Sequence, residues 1–220
     1  MPSSLRKYLR LSLLSSLSVA LLLAISTTVN AQPLSVQVLD HQGEPFQGAV
    51  VELQHPDIIR STELPQAAMD QVNKQFAPYL LAIEQGTPVV FPNSDSIKHH
   101  VFSFSAAKRF QLKLYKDRRP EPLIFDKPGI VALGCNIHDW MVGYIYVAQS
   151  KLYLQSDQQG YAQFDVPPRD YQVRVWHPRF KGGDAQRLTG ITANTNTITF
   201  SLNEPLHPML DGQADEFESY

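Results

Sequence analysis

Residues 129–147 read GIVALGCNIHDWMVGYIYV. The two ends of this stretch, Gly129–Leu133 and Gly143–Val147, are rich in aliphatic, β-branched and aromatic residues and predict two strands. Residues 134–142 lie between them and contain the Gly, Asn and Asp that favour a loop. The whole chain has 16 Pro, 11 Phe and 9 Tyr and few stretches of helical periodicity, so the sequence predicts an all-β protein.

The loop also carries three side chains that bind soft metal ions. Cys135, His138 and Met141 follow the spacing Cys-x2-His-x2-Met, and His99 and His100 begin another predicted strand about 35 residues earlier. One thiolate, two imidazoles and one weak thioether are the ligands of a mononuclear blue-copper (type 1) site. Zinc is the second interpretation, because structural zinc sites prefer more thiolates and methionine binds zinc poorly. The pattern therefore favours one copper ion.

The N-terminus predicts export to the periplasm, and this makes the single cysteine informative. A short basic region, an apolar run at Leu11–Ile25 and small residues up to Ala31 are typical of a secretory signal peptide over residues 1–31. The apolar run is too short to span a bilayer. Cys135 is the only cysteine of the chain. In an oxidising compartment such a thiol is buried, paired with another chain or held by a metal.

The charge argues against two classes of partner. The chain has 19 basic and 21 acidic residues, for a net charge of −2. The predicted signal peptide holds three of the basic residues, so its removal leaves a net charge of about −5. Nucleic acid and anionic lipid surfaces are therefore poor partners. No later stretch is long and apolar enough for a membrane span.

Period-2 alternation and turn residues predict further strands on both sides of the loop. One helical turn is also predicted near Gln66–Asp70. The predicted strands are Leu34–Val38, Ala49–Leu53, Tyr79–Ile83, Pro88–Phe91, His99–Ser105, Phe110–Tyr115, Tyr161–Val166, Tyr171–Trp176 and Thr197–Leu202.

Two segments resemble the cupredoxin family. Phe91-Pro92-Asn93 followed by His99-His100-Val101-Phe102 is similar to plastocyanin-like proteins, and the loop Cys135–Met141 has the ligand spacing of amicyanin. Residues 67–148 as a whole resemble bacterial proteins labelled methylamine utilization proteins. The resemblance implies a Greek-key cupredoxin β-sandwich over residues 65–148. It also implies four copper ligands, which are His99, Cys135, His138 and Met141.

The first histidine ligand is open between two neighbours. The family has Asn after its first ligand, which selects His99 and puts His100 at the Asn position. Strand alternation instead puts His100 on the face of Phe102 and Phe104, and if that face is the core, His100 is the ligand. We favour His99.

A second sandwich is predicted from the two ends of the chain. Residues 33–51 resemble the start of carboxypeptidase-regulatory or transthyretin-like β-sandwiches, and the usual continuation of that pattern appears only after Asp157. Residues 33–58 and 150–203 are therefore expected to form one small sandwich of Ig or transthyretin type, with the cupredoxin inserted in its loop. The alternative is that residues 34–55 add strands to the copper domain. The acidic tail, residues 204–220, is expected to be disordered.

Together these observations predict a periplasmic single-electron carrier that meets transient protein redox partners. The rival is a copper-handling or structural binding module. An enzyme is not expected, because the sequence shows no second set of copper ligands and no acid–base pair. Asn93 or His100 is expected to hydrogen-bond the Cys135 loop, while Asp139 is expected either to orient His138 or to be solvated. Trp140 is expected on the docking rim or packed under the loop.

Overall fold

The computed structural model describes residues 32–116, 120–181, 186–191 and 196–209, and gives backbone alone for residues 186–191. The predicted signal peptide, residues 1–31, and residues 210–220 of the tail lie outside these ranges. Every regular element in the described ranges is a strand, which confirms the predicted all-β fold class. The strands are β1 (Gln32–Leu39), β2 (Val50–Gln54), β3 (Ala67–Ala68), β4 (Asp70–Val72), β5 (Gln75–Ala77), β6 (Leu80–Glu84), β7 (Pro88–Val90), β8 (His99–Ser103), β9 (Phe110–Tyr115), β10 (Leu123–Ile124), β11 (Gly129–Gly134), β12 (Val142–Ala148), β13 (Tyr153–Gln155), β14 (Tyr161–Val166), β15 (Tyr171–Trp176), β16 (Gln186–Ile191) and β17 (Thr197–Ser201).

The central part of the chain forms a sandwich of two sheets. One sheet has the order β6-β12-β11-β8-β9, with β6 and β12 parallel, and the other has the order β10-β7-β3. The core between them is apolar and aromatic and includes the sulfur of Cys135. Its most deeply buried members are Met69, Phe76, Ile83, Val89, Phe91, Val101, Phe125, Val131, Leu133, Met141, Ile145 and Val147.

The pairing of β8 with β11 fixes where the candidate metal ligands meet. The two strands are antiparallel with Gly134 opposite Phe102, so the end of β11 lies beside the second half of β8. Continuing this register by one residue puts Cys135 opposite Val101. Val101 and Cys135 belong to the same buried core, and Nδ1 of His99 lies 4.0 Å from Sγ of Cys135, so His99 is on this side as well.

Strands from the two ends of the described chain form a second pair of sheets around a separate core. One sheet has the order β14-β1-β17 and the other β13-β2-β15-β16. β1 pairs with β14 from Gln32–Val166 to Gln37–Tyr161, and β2 pairs with β15 from Gln54–Gln172 to Val50–Trp176. The first two strands of the chain are therefore hydrogen-bonded to strands that follow residue 150.

The two cores meet through β12, which is buried on both faces. Ile145 and Val147 face the central core, whereas Tyr144, Tyr146 and Ala148 pack with Val50 and Trp176 of the second sandwich. Strands covered on both sides have no polar face, which explains the continuous apolar run at residues 143–148. The strand that follows the metal-binding loop thus joins the two sandwiches.

Two connecting segments were predicted from the sequence as a helical turn and a disordered tail. The helical turn predicted near Gln66–Asp70 is wrong, because Ala67–Ala68 pairs with β7 and Asp70–Val72 forms a hairpin with β5. Of the tail, residues 204–209 are described, and His207 exchanges two hydrogen bonds with Arg179. The part of the chain that the structure describes contains no helix with the length and hydropathy of a membrane span.

Candidate metal centre

Three of the predicted ligands converge at one end of the five-stranded sheet. One donor atom from each of His99, Cys135 and His138 lies within 4.8 Å of the other two. Sγ of Cys135 is 4.0 Å from Nδ1 of His99, and the two imidazole rings are 5.1 Å apart between centroids. Side chains 36 residues apart in sequence meet here because β8 and β11 are antiparallel neighbours.

His99 is held in one orientation by a carboxylate. Its ring is fully buried, and Nε2 lies 2.6 Å from Oδ2 of Asp95. Burial alone raises the pKa of Asp95, but hydrogen bonds from Lys74 N–H, from His99 and from Asn73 N–H outweigh it, so the pKa lies below its usual value. Asp95 is therefore ionised and accepts the Nε2 proton. The lone pair of Nδ1 is left facing Cys135.

Cys135 is a free, buried thiol directly after the last residue of β11. The preceding residue, Gly134, has no room for a side chain, because a Cβ there would lie 2.8 Å from the Phe102 ring. Glycine at this position lets the Phe102 ring cover the backbone just before the thiol. Cys135 itself is 6% exposed and belongs to the central core, which shields it from water and oxidants.

His138 closes the site from the loop side. Its Nδ1 is buried and has no hydrogen-bond partner within the described residues. Burial first, and then the charges of His99 and Lys74, lower the pKa of His138, so the imidazole is neutral with a lone pair to donate. Its ring also contacts Trp140 at 5.3 Å between centroids.

Met141 lies beside the three donors in the chain and in the core. Its backbone N–H donates to the carbonyl of His138 at 3.0 Å, which tightens the loop into a turn. Its side chain is 1% exposed and packs in the same core cluster as Cys135. The axial role predicted for this thioether stays a prediction.

His100 points away from the other donors. Its Nε2 lies 2.8 Å from Nε2 of Gln111, and its ring contacts Phe102. Phe104, on the same side of the strand, is 71% exposed, so this is not the core face that would have made His100 the ligand. The alternation places His100 correctly with Phe102 and Phe104, and only the condition that this face is the core fails. The β8–β9 register also shifts between His99 and Val101, and three consecutive residues are buried there.

The other expected supports have different roles in the structure. Asn93 donates to the carbonyl of Ile97 in its own loop and to that of Tyr115 at the end of β9, and these contacts do not hold the Cys135 loop. Asp139 is exposed and makes no side-chain hydrogen bond or ion pair within the described ranges, which agrees with the solvated alternative. Trp140 is 43% exposed beside His138.

Sequence reasoning missed Asp95 and the turn that binds it. Asp95 lies four residues before His99, in a polar Asn-Ser-Asp stretch that reads as an ordinary turn. Its partners Asn73 and Lys74 are 22 and 21 residues away in sequence. The spacing Asp-x3-His beside a metal-binding histidine was the available signal.

The donor set fits a copper ion. Nδ1 of His99 faces the sulfur of Cys135 while Nε2 is engaged by Asp95, and Nδ1 of His138 lacks a partner within the described residues. Buried polar atoms without partners are unfavourable unless something else binds them. A soft thiolate with two neutral imidazoles suits copper or zinc, and a nearby buried thioether favours copper.

Comparison with known proteins finds similar solved structures only. No protein-family model and no curated protein matches the chain. A purple cupredoxin from Nitrosopumilus maritimus is 25% identical, with coverage of 37% of this chain and 99% of that one and a TM-score of 0.32. An amicyanin mutant in the reduced Cu(I) form at pH 4 is 18% identical, with 44% and 97% coverage and a TM-score of 0.34. A copper-containing nitrite reductase from Thermus scotoductus is 21% identical, with 51% and 28% coverage and a TM-score of 0.37. Structures similar to parts of this chain are thus cupredoxins.

Proposed function

We propose that this protein is an exported single-electron carrier with one type 1 copper ion. His99, Cys135 and His138 would bind the ion, with Met141 as a weak fourth ligand. The observation that carries the proposal is the convergence of one cysteine sulfur and two imidazole nitrogens within 4.8 Å of one another. When bound, copper supplies a centre that takes up and releases one electron.

The surroundings suit electron transfer because they resist rearrangement. His99 is fixed by Asp95, Cys135 directly follows a paired strand, and Met141 is buried in the core. Donors that stay in one arrangement limit the motion that accompanies a change of charge. The burial of Cys135 also keeps water away from the sulfur.

The exposed side of the loop suits brief contact with another redox protein. Ile137 is 50% exposed and Trp140 is in ring contact with His138. These residues form a small apolar surface directly beside a metal-binding ring. Electron-transfer partners meet through small interfaces, so we place the docking surface for a transient protein partner here. We further propose that the protein lies in the periplasm and catalyses no reaction.

The test is the absorption spectrum of protein purified with copper and then oxidised. A type 1 site gives an intense visible charge-transfer band from thiolate to Cu(II). We expect His99→Ala to abolish this band and His100→Ala to preserve it, because only His99 lies beside Cys135. Copper bound by the wild-type protein without such a band would overturn electron transfer in favour of copper handling. Loss of the band in His100→Ala alone would overturn the assignment of His99.

A further inference from the structure

We propose that the turn of the β4–β5 hairpin is a positioning element of the metal centre. Its two backbone N–H groups hold Asp95, and Asp95 in turn holds the ring of His99. The inference rests on the proposed function and adds a second layer to the site, remote in sequence from every ligand.

The turn presents two adjacent donors to one carboxylate. Asn73 N–H donates to Oδ1 of Asp95 at 2.7 Å, and Lys74 N–H donates to Oδ2 at 2.8 Å. Both turn residues have positive φ, 52° and 61°, as in a two-residue type I′ hairpin. Asn adopts this conformation readily, whereas Lys does so rarely. The left-handed pair turns both N–H groups toward the same side, where Asp95 lies.

Oδ2 of Asp95 links the hairpin turn to His99. It accepts hydrogen bonds from Lys74 N–H and from Nε2 of His99. Within the described residues, Nε2 of His99 has no other hydrogen-bond partner than this oxygen. The turn therefore fixes the carboxylate, and the carboxylate fixes both the tautomer and the rotation of the imidazole.

The hairpin is anchored well enough to act as a fixed support. Gln71 of β4 is fully buried and donates to the carbonyl of Pro92 at 2.7 Å. Asp70 accepts hydrogen bonds from both the N–H and the hydroxyl of Ser94. Phe76 of β5 lies in the core against Gly143, where a Cβ would clash with its ring. Contacts of β4 thus join the hairpin to the loop that carries Asp95, and Phe76 of β5 anchors the hairpin in the core.

The charge of Lys74 offers a competing explanation for any effect of the turn. Lys74 is exposed, and its charge acts on His138. Lys74→Gly and Lys74→Val both remove the charge, but glycine accepts positive φ and valine resists it. This pair separates the backbone conformation from the charge.

The experiment compares Lys74→Gly, Lys74→Val and Asp95→Asn in two forms of the full chain. In the metal-free protein, NMR follows the Nε2 proton of His99, which its bond to Asp95 protects from exchange. In the copper-loaded protein, the thiolate-to-Cu(II) band and the copper affinity are measured. We expect Lys74→Gly to match the wild type in both. We expect Lys74→Val and Asp95→Asn to lose the protected proton, shift the band and weaken copper binding by about 10- to 100-fold.

Each alternative result has one meaning. Equal defects in Lys74→Gly and Lys74→Val would assign the effect to charge and overturn the proposal. An unchanged His99 proton and unchanged band in Asp95→Asn would also overturn it. A wild-type protein without the band would overturn the electron-carrier function alone. The proton signal of the metal-free protein would still test the contacts that lead from the turn through Asp95 to His99. Circular dichroism of every variant keeps unfolding from being read as loss of positioning.

Discussion

The metal centre and the junction between the sandwiches both bury polar side chains, but they treat them differently. We define the junction by Glu52, Tyr146, Trp176 and His177. At the metal centre, donor atoms converge, Nδ1 of His138 has no hydrogen-bond partner within the described residues, and Nδ1 of His99 faces the sulfur of Cys135 at 4.0 Å. At the junction, both oxygens of Glu52 are occupied, by Tyr146 O–H at 2.6 Å and by the N–H groups of Gln149 and Ser150.

His177 makes the comparison sharper because it also has an unpaired nitrogen. Its Nε2 is buried without a partner, like Nδ1 of His138. However, the neighbours of His177 are the rings of Phe46, Phe180 and Tyr79, and among the described residues it belongs to no group of three potential metal ligands. An unpaired buried nitrogen is therefore a weak sign of a metal site. The stronger sign is a second donor, of suitable chemistry, within reach of the first.

The largest expected effect comes from removing the sulfur. In Cys135→Ser the thiolate is absent, so the visible charge-transfer band should be lost completely. The hydroxyl has almost the size of the thiol, and the unfolding free energy of the metal-free protein should change by only about 1 kcal/mol. Absorption and denaturant unfolding measure the two quantities. A variant that keeps the band would mean that the sulfur is not a ligand.

Much of the metal centre could be predicted from the sequence because it lies at strand ends. Cys135, His138 and Met141 are close in sequence, and the alternating strands around them have strong local signals. His99 could be joined to them through the family pattern alone. Whether these residues bind copper stays a prediction.

The supports could not be predicted because they depend on long-range pairing. Asp95 is recognised as a support only once the hairpin turn at Asn73 is placed against it. The hairpin itself was hidden in a polar segment whose short strands are stabilised by partners elsewhere. The bulge at His99 likewise arises from the pairing of β8 with β9, which no pattern within β8 reveals.

The second expected effect tests the junction through Glu52. Glu52→Ala leaves three buried donors without an acceptor, and the unfolding free energy should fall by about 3 kcal/mol or more. Glu52→Gln is the matched control, because its carbonyl oxygen can still accept from both N–H groups and its amide can donate to Tyr146. Its loss should be about 1 kcal/mol. Denaturant unfolding measures both, and equal losses would show that hydrogen-bond geometry does not hold the junction.

The smallest expected effect concerns acid and His177. Burial first, and then the charge of Arg179, lowers the pKa of His177 from 6.5 to about 3. Between these values the unfolded chain binds a proton that the folded protein excludes, so stability is full above pH 6.5 and falls as the pH decreases. The slope from this residue is about 1.4 kcal/mol per pH unit, or about 2 kcal/mol between pH 6.5 and 5.

Carboxyl groups add their own slopes, so the comparison is with His177→Phe, which keeps a ring among Phe46, Phe180 and Tyr79 but cannot be protonated. Unfolding free energies at pH 5 and pH 7 should differ by about 2 kcal/mol less in this variant than in the wild type. An identical pH dependence in the two proteins would mean that water reaches His177. The junction would then not be a dry, packed region.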